Sequence, residues 1–195
     1  MARWEPNARE RLQNSALELF LEQGYEGTTA AQIAERAGLA KSTFFRHFTD
    51  KREVLFGGQE LLHDLFVDAI AAAPASATPL EAAGATLAAA ATVFGPERRT
   101  WARRRQTVVE QNSELQEREL LKLAGLTAAT ADALRTRGVP DPTAGLAAEI
   151  GALAFRQAFA RWIAPPNQRD FADLAQEQLR ELSAALPTLD LTTVT

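Results

Sequence analysis

The 195 residues contain no cysteine, which removes disulfides, thiol nucleophiles and thiolate metal ligands. Histidine is nearly absent too, with only His47 and His63 far apart in pattern. No glycine-rich phosphate loop and no metal-ligand spacing occurs, so neither a cofactor nor a metal is expected, and an enzyme is the weaker reading. No apolar run approaches the roughly 20 residues of a membrane span. The opening stretch from Met1 to Pro6 lacks an apolar signal core, so a cytoplasmic chain without a membrane partner is expected. Lysine is scarce, three against 18 arginines, and strand-forming runs of Val, Ile and Thr are missing.

What is present favours helix. About a fifth of the chain is alanine, the best helix former, and an all-α fold follows. The net charge of −4 is uneven. Residues 1–56 hold 8 basic and 8 acidic side chains, whereas residues 57–195 hold 13 and 17. Only a local basic surface in the first quarter could serve a nucleic acid.

Periodicity and punctuation predict nine helices. Leu12, Ala16, Leu19 and Phe20 give the first, about 7–23, an apolar face, and Gly24 ends it. Thr29 with Gln32 forms a capping box for the second, and Gly38 breaks it. A short third helix spans about 40–48. Asp50, with Glu53, is expected to cap a fourth that runs to about Ala73. Thr78-Pro79-Leu80-Glu81 opens the fifth, Pro96 the sixth, Ser113 with Gln116 the seventh, Asp141-Pro142 the eighth and Asp170 the ninth.

Residues 29–48 have helix-turn-helix spacing. Phe44 and Phe48, four apart, can anchor the short helix. Lys41, Ser42, Thr43, Phe45, Arg46 and His47 then face outward, able to meet phosphates or base edges. On the pattern alone, a solvated helix face remains an equal alternative.

The run from Thr28 to Leu55, with Thr29, Ile33-Ala34, Ala37-Gly38-Leu39, Ser42 to Phe48 and Lys51, closely resembles the N-terminal domain of TetR-family repressors. The resemblance covers about residues 9–56. Beyond that, only the helix count and the length are similar. It implies a nine-helix, all-α architecture. Its parts would be a helix-turn-helix domain over 1–56 and a ligand-binding and dimerisation domain over 57–195. The implied function is a ligand-responsive repressor that binds a pseudo-palindromic double-stranded operator as a homodimer and is released by a small, mostly apolar effector. Thr29, His47 and Lys51 stand at the family's phosphate-contact positions, and Lys41, Ser42, Thr43 and Arg46 where it reads bases or nearby phosphates. Phe45 departs from the family's usual tyrosine, and Ala30 from an arginine found in some members.

The resemblance also implies a pocket among the middle helices and a dimer made by the last two. Phe66, Phe94, Trp101, Arg105, Val108, Phe155, Phe159 and Trp162 are the expected pocket residues, against plain core packing. Arg105 would select an anionic or carbonyl-bearing ligand, unless the arginines at 103–105 form a solvated face. Gly151, Ala154, Ala158, Phe171, Leu174, Gln178 and Leu182 are the expected dimer residues, against packing within one chain. Gly57-Gly58 inside the expected fourth helix is either a soft spot or a site of crowded packing. A purely structural helical protein would leave the helix-turn-helix residues unexplained.

Overall fold

The computed structural model describes residues 8–189, which form nine α-helices and no strand. In order these are α1 (Ala8–Gln23), α2 (Ala30–Arg36), α3 (Lys41–His47), α4 (Gln59–Ala72), α5 (Pro79–Ala91), α6 (Pro96–Glu110), α7 (Ser113–Thr136), α8 (Asp141–Ile163) and α9 (Phe171–Ala185). None of them is long and apolar enough to cross a membrane.

The boundaries follow local chemistry. Thr29 caps α2, its hydroxyl oxygen accepting from the Gln32 N–H at 3.3 Å while the Gln32 side-chain Oε1 accepts from the Thr29 N–H at 2.8 Å. Such a cap contributes about 1 kcal/mol. Thr78 and Glu81 repeat the arrangement at α5. At α7 the expected cap shifts by one residue. The Asn112 side-chain oxygen accepts from the Leu115 N–H, while the Gln116 amide turns back to the Glu110 carbonyl. The expected fourth helix is also broken. Asp50 Oδ1 accepts from the N–H groups of Arg52 and Glu53, capping a single 3-10 turn at Glu53–Leu55, and α4 begins only after Gly57-Gly58.

The chain divides into two compact units that do not coincide with a cut at residue 56. The first joins the segment ending at Gln59 with Trp101–Leu121, the second joins Glu60–Thr100 with the chain from Lys122 onward. α6 and α7 each contribute to both. The reason for the first grouping is one shared core. Leu12, Ala16, Phe20, Ile33, Phe44 and Val54 are buried together with Val108, Val109 and Leu115, and Trp101 packs against them. In the second unit α5 and α9 flank α8, and Ile70, Ala82, Ala83, Leu134, Ala144 and Ala147 form a small-residue core. Arg137 closes the end of α4 there, donating to the carbonyls of Ile70, Ala73 and Pro74 at 2.7–2.9 Å.

The two adjacent glycines have opposite surroundings. A Cβ on Gly57 would stand 2.9 Å from Arg9 Nη2 and 3.0 Å from both Gln13 Nε2 and Phe48 Cε1, whereas one on Gly58 would meet nothing within 4 Å. Crowding therefore accounts for Gly57 and not for Gly58. Gly57→Ala is expected to destabilise the protein by about 1–2 kcal/mol through overpacking. Gly58→Ala is expected to stabilise it by about 0.5–1 kcal/mol by restricting the unfolded chain. Urea unfolding midpoints check this; shifts of the same sign would contradict it.

Candidate nucleic-acid interface and effector pocket

α2 and α3 are joined by four residues whose geometry is set by Gly38. Its φ of +65° is a left-handed value that costs a side-chain-bearing residue energy. The turn lets the Gly38 N–H reach the Glu35 carbonyl and the Leu39 N–H reach the Ala34 carbonyl, a Schellman closure. Arg11 on α1 adds a guanidinium bond to the Ala37 carbonyl. α3 itself has no side-chain cap and is only seven residues long, so tertiary packing must hold it. Phe44, fully buried, and Phe48 supply that anchor, with ring centroids 5.6 Å apart.

With those two rings turned inward, Lys41, Ser42, Phe45 and Arg46 are exposed, and Thr43 and His47 are partly so. α3 therefore presents the expected face as one continuous surface. His47 departs in detail. Its Nε2 is buried without a hydrogen-bond partner. Burial, then Arg46 and Arg9, hold its pKa below the usual histidine value, so at neutral pH the ring carries no charge to offer a phosphate.

Lys51, expected at a phosphate-contact position, is engaged within the chain. Its ammonium donates to the Tyr25 carbonyl at 2.9 Å and the Thr28 carbonyl at 3.3 Å. It also lies 4.0 Å from the Tyr25 ring centroid. It ties down the turn that leads into α2. The Thr29 hydroxyl is likewise engaged in its own cap. The arginines follow the same habit. Arg9 bonds the Gly57 carbonyl, Arg36 pairs with Glu22 at 2.8 Å, and Arg52 pairs with Asp50 at 2.8 Å. Among the described cations of the first 56 positions, only Lys41 and Arg46 stand outside an ion pair or a carbonyl clamp.

The expected pocket residues separate into the two units. Trp101 and Val108 belong to the core of the first unit, and Arg105 is committed there as well. Its guanidinium donates to the Leu55 carbonyl at 2.9 Å and to Glu119 at 2.7 Å, and its Cζ lies 4.7 Å from the Phe56 ring centroid. In the structure these three pack against the first unit's core, where α6 lays them.

The remaining aromatics share the second unit. Phe94 lies 5.8 Å from Phe155, 5.6 Å from Phe159 and 5.5 Å from Trp162 between ring centroids, and Phe155 reaches Phe66 at 6.1 Å. Beside this cluster is a small cavity lined by Phe66, Thr86, Leu123, Leu126, Thr127, Thr130, Gly151, Ala152 and Phe155. Its free volume is about 20 Å3, room for little more than one water. No charged group lines it. The three threonine hydroxyls donate to carbonyls of their own helices, at Ala83, Leu123 and Leu126. The Leu123-Leu126-Thr127-Thr130 stripe on α7 went unnoticed in the sequence, although its i, i+3, i+4, i+7 spacing was visible.

The expected dimer residues are mostly spent inside one chain. Ala154, Ala158, Phe171, Leu174 and Gln178 are buried, and Phe171 meets Phe94 at 4.8 Å between centroids. Gly151 faces Ala83 on α5, with only 3.5 Å between a Cβ built on it and the Ala83 Cβ. These six are buried within the single chain, and Leu182 alone of the seven is partly exposed. Small side chains let any helix approach, and here the approaching helices are α5 and α9.

Residues 13–56 match the family described as "Bacterial regulatory proteins, tetR family". Among curated relatives, the HTH-type transcriptional regulator TcmR of Streptomyces glaucescens is 46% identical over 74 residues, 38% of this chain and 33% of its own. The HTH-type transcriptional regulator BetI of Rhizobium meliloti is 34% identical over 96 residues, 48% of this chain and 47% of its own. The matched stretch thus spans a third to a half of these relatives. Among solved structures, the transcriptional regulator FadR of Bacillus subtilis, in complex with stearoyl-CoA, superposes with a TM-score of 0.61 at 20% identity, covering 89% of this chain and 96% of that one. SmeT, the repressor of a Stenotrophomonas maltophilia multidrug efflux pump, gives 0.54 at 20% identity, with 92% and 90% covered. At these identities the two structures share the fold.

Proposed function

We infer that the chain, whose residues 13–56 match the TetR family of bacterial regulatory proteins, is a transcription repressor that reads an operator with α3 and releases it on taking up a small apolar effector in its second unit. The observation that carries the reading is α3 itself. A seven-residue helix pinned by Phe44 and Phe48 turns Lys41, Ser42, Thr43, Phe45 and Arg46 outward together. An α-helix fits the major groove, and these side chains are donors suited to base edges and phosphates, plus one apolar ring. As a bacterial DNA-binding protein it would work in the cytoplasm, and as a dimer it would meet a two-fold operator with half-sites about one helical turn apart. Such a dimer must use side chains that the single chain leaves outward, and Leu146 on α8, 58% exposed, is one.

The effector follows from the cavity. With no charge in the lining, it is uncharged where it touches Phe66, Leu126 and Phe155. Ligand pockets hold roughly 300–1,000 Å3, far above the free volume here, so uptake requires the surrounding helices to part. A ligand that fits only the parted state draws the protein into it.

The test is fluorescence anisotropy on duplexes selected from a random pool, with and without a panel of apolar compounds. Acyl-CoA thioesters are included because a protein of the same fold binds one. Binding that weakens steeply with salt, and falls further with one compound class that also raises the melting temperature, is the expected result. Ala152→Phe should fill the cavity and remove the response to the compound while leaving DNA binding in its absence. A protein that selects no duplex would sink the reading.

A further inference from the structure

Phe45 is the one α3 side chain whose exposure hydrophobicity does not explain. It is 50% exposed, although the two other phenylalanines of the same segment are buried. The ring is held rather than loose. Phe44 braces it edge-on from below, centroids 5.3 Å apart at 79°, and the Lys41 ammonium sits 5.8 Å from its centroid. An exposed phenyl ring braced by Phe44 thus stands on the same short helix as Lys41 and Arg46, both exposed.

This ring has no polar atom with which to bond a phosphate. Among the groups that B-DNA displays in the major groove, one is apolar, the C5-methyl of thymine. We propose that Phe45 is a specificity-determining residue that selects a thymine at one symmetric pair of operator positions by packing against its 5-methyl group. Phe45 takes this role only if α3 enters the major groove, as inferred above. Lys41 and Arg46 then contact phosphate or guanine, and the ring meets the methyl group. Cytosine, which has a hydrogen in place of that methyl, would leave the ring facing water.

The experiment uses the full-length protein and its selected operator. Each thymine is replaced singly by uracil, which deletes only the methyl group and keeps the pairing. One symmetric pair is expected to respond, with affinity falling about fourfold per half-site, the worth of one buried methyl. Phe45→Ala should bind thymine and uracil operators equally at that pair, while Phe45→Leu should keep part of the difference. Because Phe45 is surface-exposed, both variants should melt near the wild-type temperature. In the converse arm, an operator with cytosine at that pair should gain affinity when the cytosine carries a 5-methyl group. The proposal is overturned if no thymine-to-uracil change matters to the wild type, or if the difference survives in Phe45→Ala. If the protein binds no duplex at all, the DNA-binding reading fails first and this one with it.

Discussion

Arg105→Ala should lower the stability of the protein by about 3 kcal/mol, the largest effect expected of any single charged side chain. The side chain is only 11% exposed and its partner Glu119 22%. Three things are lost together: the bond to the Leu55 carbonyl, the ion pair with Glu119 and the stack on Phe56. The loss leaves a part-buried carboxylate without its cation, which costs more than the pair itself is worth. Arg105→Lys should recover only part, since an ammonium cannot reproduce the fork of a guanidinium. Arg104→Ala, one residue away and exposed, should stay within about 0.5 kcal/mol of wild type. Chemical denaturation followed by circular dichroism separates these outcomes. If Arg105→Ala and Arg104→Ala unfold alike, the Arg105 cluster is not holding α6 and α7 to the first unit's core.

The second large effect is expected on DNA binding. Changing both Lys41 and Arg46 to Ala should weaken operator affinity by roughly 100-fold or more, since each lost base contact is worth about 1–3 kcal/mol. Melting temperature should hardly move, as both are exposed. Lys51→Met provides the contrast. It keeps the alkyl stem over Tyr25 but removes the two carbonyl bonds, so it should lower the melting temperature and weaken DNA binding through the displaced turn. A phosphate ligand would instead take about one unit from the slope of log affinity against log salt for each half-site. An unchanged slope with a lowered melting temperature identifies the clamp; the reverse pattern would restore Lys51 to the DNA.

These contrasts mark where the sequence was legible. The second and third helices were readable because their signals are local: Thr29 with Gln32, the break at Gly38, and the four-residue spacing of Phe44 and Phe48. Lys51, Arg105 and Trp101 were not, because each is defined by a partner far along the chain. Arg105 meets a carbonyl 50 residues earlier, and no periodicity encodes that meeting. The small residues of α8 were correctly seen as a close-packing face. Spacing alone could not say whether α5 or a second copy packs there, and Gly151 against Ala83 shows that α5 does. Gly57-Gly58 looked like one feature and proved to be two, a crowded position beside an open one.

The economy of free cations among the described residues of the first 56 positions bears on how quickly such a protein would find its site. Random DNA holds proteins almost wholly through counterions released by basic side chains. With Arg9, Arg11, Arg36, Lys51 and Arg52 each held by an internal acceptor, Lys41 and Arg46 are the described cations of the first 56 positions left to supply that grip. If α3 is the reading head, as inferred above, residence on random sequence would be brief, little of the chromosome would be explored by sliding, and most of the search would pass through free solution. In a cell where random sites vastly outnumber operators, a head of this kind leaves a larger share of its copies unbound and ready to capture the right one.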